Sequence, residues 1–247
     1  CPNIGQKDMQ SIFNAVSIKR SLKKLQLFAV VPVGIDLEIT NLSGQPRSLE
    51  KLELNLGYWI HYESALTSIG KLIRNSPNLK HLKIIVDNNA VFDYLNCVII
   101  EARKLRNLKH FDFEILEGCE LTFDCLYSLN GVVRSNLDLE HLSLGLNMCN
   151  ISTAWPRSFI GFALFGLRNL KSLNFQLRGT SSAGEFVTLL ESYIIRFENL
   201  QEVNLSVGNS TWIYDSVLGR FVNSLRKLSR LEILGVSFHH GDDIRNT

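Results

Sequence analysis

The stretch Leu79-Lys80-His81-Leu82-Lys83-Ile84-Ile85-Val86 decides the fold. Its apolar residues at Leu82, Ile84 and Val86 alternate with other positions, and a leading leucine stands three residues ahead. A period of two marks a strand with one face buried. The same phrase begins at Leu22, Leu49, Leu108, Leu139, Leu170, Leu200 and Leu231, so the leading positions are separated by 27, 30, 29, 31, 31, 30 and 31 residues. Eight copies at near-constant spacing describe one repeating unit, and strands one unit apart can pair in parallel.

A parallel connection has to carry the chain back to the starting edge of the sheet, and between the strands the spacing becomes helical. The pattern predicts helices over 64–75, 91–105, 123–134, 184–197 and 215–228, with Ser182 and Glu185 at capping-box spacing before the fourth. Basic residues gather at the helix ends, as in Lys71 and Arg74 or Arg226 and Lys227, where they complement the helix dipole. Positions 28–48 depart from this plan: Pro32, Gly34, Gly44 and Pro46 surround an alternating Ile35-Asp36-Leu37-Glu38-Ile39, which predicts an extended or irregular return.

These residues resemble the leucine-rich repeat family, and the long helix-containing units are most similar to its ribonuclease-inhibitor type. The resemblance runs from Asn3 to Phe238, with 7–18 similar to the helix that follows a strand in that type. It implies an α/β solenoid, a horseshoe with a concave parallel sheet of about eight strands and a mostly helical convex side, forming one domain over 1–247. Two features depart from the family. Units of about 30 residues exceed the usual 20–29. The positions ten after each leading leucine (Pro32, Trp59, Asn89, Gly118, Cys149, Thr180, Ser210, Gly241) form no Asn or Cys ladder. No terminal cap is legible, which leads us to expect a segment of a longer solenoid.

The resemblance also implies that side chains flanking the second leucine of each strand project from the concave face. The candidate partner-binding residues are therefore Lys24, Lys51, Glu53, His81, Lys83, His110, Asp112, Glu114 and His141. Strands six to eight carry Ser172, Asn174, Glu202, Asn204 and other mainly uncharged residues in the same columns. His81, His110 and His141 on adjacent strands are either a metal or pH-sensing cluster or ordinary exposed fillers; no carboxylate or Cys is arranged around them as a ligand set. Cys119 and Cys149, one repeat apart, are read as two separate thiols, and His239-His240 with Asp242-Asp243 as a solvated tail.

Composition excludes several classes. A net charge of +2, from 26 basic and 24 acidic residues, gives no bulk attraction to nucleic acid or membranes. The longest apolar run, 159–167, is about half a bilayer span. Five Cys without CxxC spacing point to a reducing, intracellular and cytoplasmic setting, against a weak pull from sequons at Asn41, Asn150, Asn204 and Asn209. There is no glycine-rich phosphate loop, HExxH or GxSxG, so we expect no enzyme, no cofactor and no small-molecule substrate. The expected function is a non-catalytic protein-interaction scaffold or adaptor. The alternatives are a structural subunit of a cytoskeletal or ciliary assembly, anchored by Trp59, Tyr62, Trp155 or Trp212, and the substrate-receptor module of a ubiquitin ligase.

Overall fold

The computed structural model describes residues 21–28, 48–56, 63–86, 95–116, 121–152, 154–208 and 215–239, with three isolated positions (11, 15 and 19) before them. Each copy of the leucine phrase forms a strand: β1 (Lys24–Phe28), β2 (Lys51–Asn55), β3 (His81–Val86), β4 (His110–Ile115), β5 (His141–Leu146), β6 (Ser172–Arg178), β7 (Glu202–Gly208) and β8 (Ile233–His239). They make one parallel sheet in sequential order. Register never drifts: Lys51, His81, His110, His141, Ser172 and Glu202 follow one another as direct partners. This is an α/β solenoid of strand-and-return units, the architecture that the leucine-rich repeat resemblance implies.

Helices return the chain at α1 (Glu63–Arg74), α2 (Leu95–Ala102), α3 (Phe123–Ser135), α4 (Ala154–Ser158), α5 (Ala183–Ile194) and α6 (Asp215–Leu225). Alternate strand residues such as Leu82, Ile84, Phe111 and Phe113 are fully buried, and they meet Leu66, Ile69, Val98, Leu129 and Val133 from the helices. The period-two and period-3.6 faces thus close on one continuous core. On β8 the corresponding Leu234 and Val236 stay partly exposed.

One return was illegible as a helix. After α4 the chain continues as a π-turn (Phe159–Ala163) and a 3₁₀ turn (Leu164–Gly166), so the apolar run 159–167 never follows a single helical period. The changes of pitch turn Phe159, Ile160, Ala163 and Leu164 inward while Phe162 and Phe165 face outward. The irregular return expected within 28–48, the N-terminal helix over 7–18 and the possible tail site from 240 onward lie outside the described residues.

A polar ladder does run along the solenoid, but it stands one residue before the leading leucine. Asn107 Nδ2 donates to the Pro77 carbonyl, Asn169 Nδ2 to Asp138 Oδ1 and Asn199 Nδ2 to the Arg168 carbonyl, each at 3.0 Å and each onto the preceding unit. Asn136 does more. Its Nδ2 donates to the Val132 carbonyl at 2.8 Å, and its Oδ1 accepts from the Leu108 backbone N–H at 3.0 Å. In several other turns the leading leucine's N–H bonds a carbonyl three residues back, as Leu79 does to Ser76 and Leu200 to Phe197. Asn136 supplies that acceptor for a neighbouring unit. Replacing Asn136 with leucine strands a buried N–H and is expected to cost about 2 kcal/mol in urea unfolding. A loss below about 0.5 kcal/mol would mean the Leu108 N–H finds another partner.

Candidate interaction surface

In-register pairing stacks the residues before each second leucine into a column across the sheet. His81 and His110 lie with ring centroids 5.3 Å apart and planes at 29°, and His110 and His141 at 4.2 Å and 8°. The lower spacing is close to the ~4.8 Å between strands. Such stacking settles what the three imidazoles can do. Ring-nitrogen lone pairs lie in the ring plane, so stacked rings cannot converge on one ion. Among the described residues no group of three or more His, Cys, Asp or Glu is placed to hold a metal.

Among the sheet-face residues His81 is strongly perturbed. Burial, with help from Lys51 and His110, pushes its pKa down to about 4, so the ring is neutral at physiological pH. Its Nε2 is buried without a hydrogen-bond partner, 3.9 Å from Glu53 Oε1 and 3.7 Å from Asp112 Oδ2. These are contacts of an uncharged ring, not ion pairs. His110 is also held below the ordinary histidine value, by burial first and His141 second. Burial lifts the Asp112 carboxyl, against the pull of Lys83. Glu53 is held low by its hydrogen bond from Lys51, whose Nζ lies 2.7 Å away, and it accepts a further bond from Gln26.

The predicted residues are not all equivalent. Lys51, Glu53, His81 and Asp112 gather in one patch, continued along the column by His110 and His141. Lys24 stands at the exposed first position of β1. Lys83 has no hydrogen bond and no ion pair among the described residues. Glu114, in the third column, lies across Gly145, where a Cβ would come within 2.7 Å of its Cγ.

Strands β6 and β7 differ in a way composition only hinted at. Ser172 donates to Glu202 at 2.8 Å, Asn204 donates to the same carboxylate at 2.8 Å, Asn174 donates to Ser143 at 2.9 Å, and Arg178 donates to Ser206 at 2.9 Å. Their polar groups are spent on one another. Sequence reading also passed over the residue after each leading leucine. There Lys80 meets Glu50 at 2.8 Å and Lys171 meets Glu140 at 2.7 Å, a stitch of alternating charge along the sheet edge.

One expectation changes. Trp155, taken as a possible exposed anchor, is 5% exposed: its ring packs on Phe159 and its Nε1 donates to the Leu126 carbonyl at 3.4 Å. Trp59, Tyr62, Trp212 and Cys119 lie outside the described residues. Among the described residues Cys125 lies under the influence of Cys149: its thiol is pushed up to about 12 by burial first and then by Cys149. Cys97, Cys125 and Cys149 are all unbridged. A buried, protonated Cys125 is a core residue, not a nucleophile.

No family model matches the chain, and no curated protein matches it. Among solved structures it is similar to the C-terminal domain of tropomodulin from Caenorhabditis elegans, at 12% identity over 66% of this chain and 92% of that one, with a TM-score of 0.45. It is also similar to internalin C2 from Listeria monocytogenes strain 4b F2365, at 15% identity over 72% and 84%, with a TM-score of 0.28. Similarity at this level assigns neither a subtype of the repeat nor a function. No helix among the described residues is long and apolar enough to cross a membrane.

Proposed function

We propose that the protein is a non-catalytic interaction module that holds a protein partner against the concave face of β1 to β5. The observation that carries this reading is the contrast along the sheet. On β6 and β7 polar side chains hydrogen-bond one another or Ser143 of β5. On β1 to β5 the columns present Lys24, Lys83, which has no partner among the described residues, and a stacked histidine row. Groups not satisfied internally gain most when a partner supplies the missing hydrogen bonds, and a rigid repeat array loses little conformational entropy on docking. Three free thiols favour a reducing, cytoplasmic setting.

Capture from a cell lysate on immobilised full-length chain tests the surface. A partner retained by the wild type is expected to lose about tenfold in affinity with His110→Ala or Asp112→Ala, and less than about twofold with Ser172→Ala or Asn174→Ala. Equal losses for both pairs would move the docking surface away from β1 to β5.

A further inference from the structure

The face opposite the sheet holds a second feature that the concave reading leaves unused. Three arginines on the helical side are neutralised by a glutamate of a neighbouring unit: Arg74 by Glu101 at 2.9 Å, Arg157 by Glu185 at 2.8 Å and Arg220 by Glu191 at 3.5 Å. Arg103 and Arg134 have no such partner among the described residues and share one cavity. Both line a cavity of about 400 Å³ between α2, α3 and the π-turn, and no carboxylate is among its lining residues. Neither guanidinium has an ion pair or a hydrogen-bond acceptor among the described residues. Arg103 is held in place by its side chain lying over the Tyr127 ring, 5.2 Å from the centroid, and across Gly131.

The cavity carries two further marks of a ligand site. Asn130 is 95% buried (5% exposed); its Nδ2 donates to Ser158 at 2.9 Å, while its Oδ1 has no donor. Phe162, turned outward by the π-turn, is 70% exposed on the same wall. Paired guanidiniums suit a carboxylate, an exposed aromatic suits an apolar side chain, and a buried amide oxygen needs an N–H.

We propose that this cavity docks an acidic linear segment of a protein partner. A carboxylate of the segment bonds Arg103 and Arg134, a neighbouring apolar side chain packs on Phe162 and Tyr127, and a backbone N–H of the segment donates to Asn130 Oδ1. A protein ligand is favoured over an anionic lipid or a nucleic-acid backbone because phosphodiesters have no N–H for Asn130. Moreover, two arginines on a chain of net charge +2 make a local clamp, not a basic field.

Selection of a random twelve-residue peptide display library on the immobilised full-length chain tests this. Enriched peptides are expected to place Asp or Glu beside an aromatic or branched apolar residue. A fluorescent consensus peptide is expected to bind in the micromolar range and to weaken about tenfold or more with Arg134→Glu or Arg103→Ala. The sharpest variant is Gly131→Ala. Its Cβ would stand 2.5–2.9 Å from Arg103 Cδ, Nε and Cγ, so the flexible side chain swings away. Alanine favours the helix, so the melting temperature is expected to hold or rise while peptide binding falls about tenfold. The concave variants His110→Ala and Asp112→Ala are expected to leave peptide affinity unchanged, so either surface can fail without the other. Absence of an acidic consensus, or binding indifferent to all three cavity variants, overturns the proposal. So does phosphatidylglycerol vesicle binding that these same variants abolish, because it would assign the clamp to lipid.

Discussion

Replacing Phe159 with alanine is expected to lower the unfolding free energy by about 3–5 kcal/mol, the largest effect of any single substitution considered for this chain. Phe159 is fully buried. Trp155 stacks on it at 4.8 Å, Phe186 at 6.3 Å, and Phe175 meets it edge-on at 6.3 Å and 81°. These neighbours come from the return itself, from β6 and from α5, and Phe175 and Phe186 pack on each other at 4.7 Å. Rings fixed by separate elements cannot collapse together into the space a missing ring leaves, so both the transfer and the cavity contributions are lost. Urea unfolding followed by Trp155 fluorescence reads the effect. Phe162→Ala, only three residues along, is the control, expected to change stability by less than about 0.5 kcal/mol because its ring is outside. Similar losses for the two variants would mean that the π-turn does not divide inside from outside as described.

The second large effect is a loss of stability in mild acid. His81 titrates near 4 in the folded chain and near its ordinary 6.5 when unfolded. A lowered histidine pKa means the unfolded state binds the proton more readily, so the stabilisation is full above about 6.5 and is lost as pH falls toward 4. Linkage between those two values gives about 2 kcal/mol lost from pH 7.5 to pH 5, approaching 3 near pH 4. His110, shifted the same way, adds to the loss. Asp112, lifted by burial, opposes it. Glu53 and Glu140, both held low, contribute in the same direction as the histidines only below about pH 4.5. Comparing urea midpoints at pH 7.5 and 5 therefore reads the histidines net of Asp112. His81→Gln, which cannot charge, is expected to flatten most of that difference. An unchanged pH profile in this variant would show that the ring is solvated.

Some of this was written plainly in the chain. Leu82, Ile84 and Val86 recur in every unit because each strand solves the same burial problem, so the sheet and its register followed by arithmetic. That His81, His110 and His141 are neighbours followed from the same count. That His81 is neutral did not, because its pKa depends on how deeply Lys51, Glu53 and Asp112 crowd it. Asn136 was invisible for a different reason: its role is to replace a backbone acceptor in another unit, and nothing local marks it. The 159–167 run defeated periodicity because two helical pitches share nine residues. The arginine cavity needed the three-dimensional contrast between Arg103 and Arg134 on one side and the glutamate-paired Arg74, Arg157 and Arg220 on the other. In sequence Arg74, Arg103 and Arg134 look alike as charges near helix ends.

The constancy of register bears on how the chain tolerates change. Leading leucines are separated by anything from 27 to 31 residues, yet paired residues stay level from Lys24 across to Ile233. The whole four-residue spread, 31 minus 27, is therefore taken up in the returns. A residue gained or lost on a return leaves every column intact. The same change inside a strand inverts which side chains face in from that point on. Length variation and amino-acid variation are thereby separated: the returns can drift in size while the concave columns are rewritten one position at a time, each unit without renegotiating its neighbours.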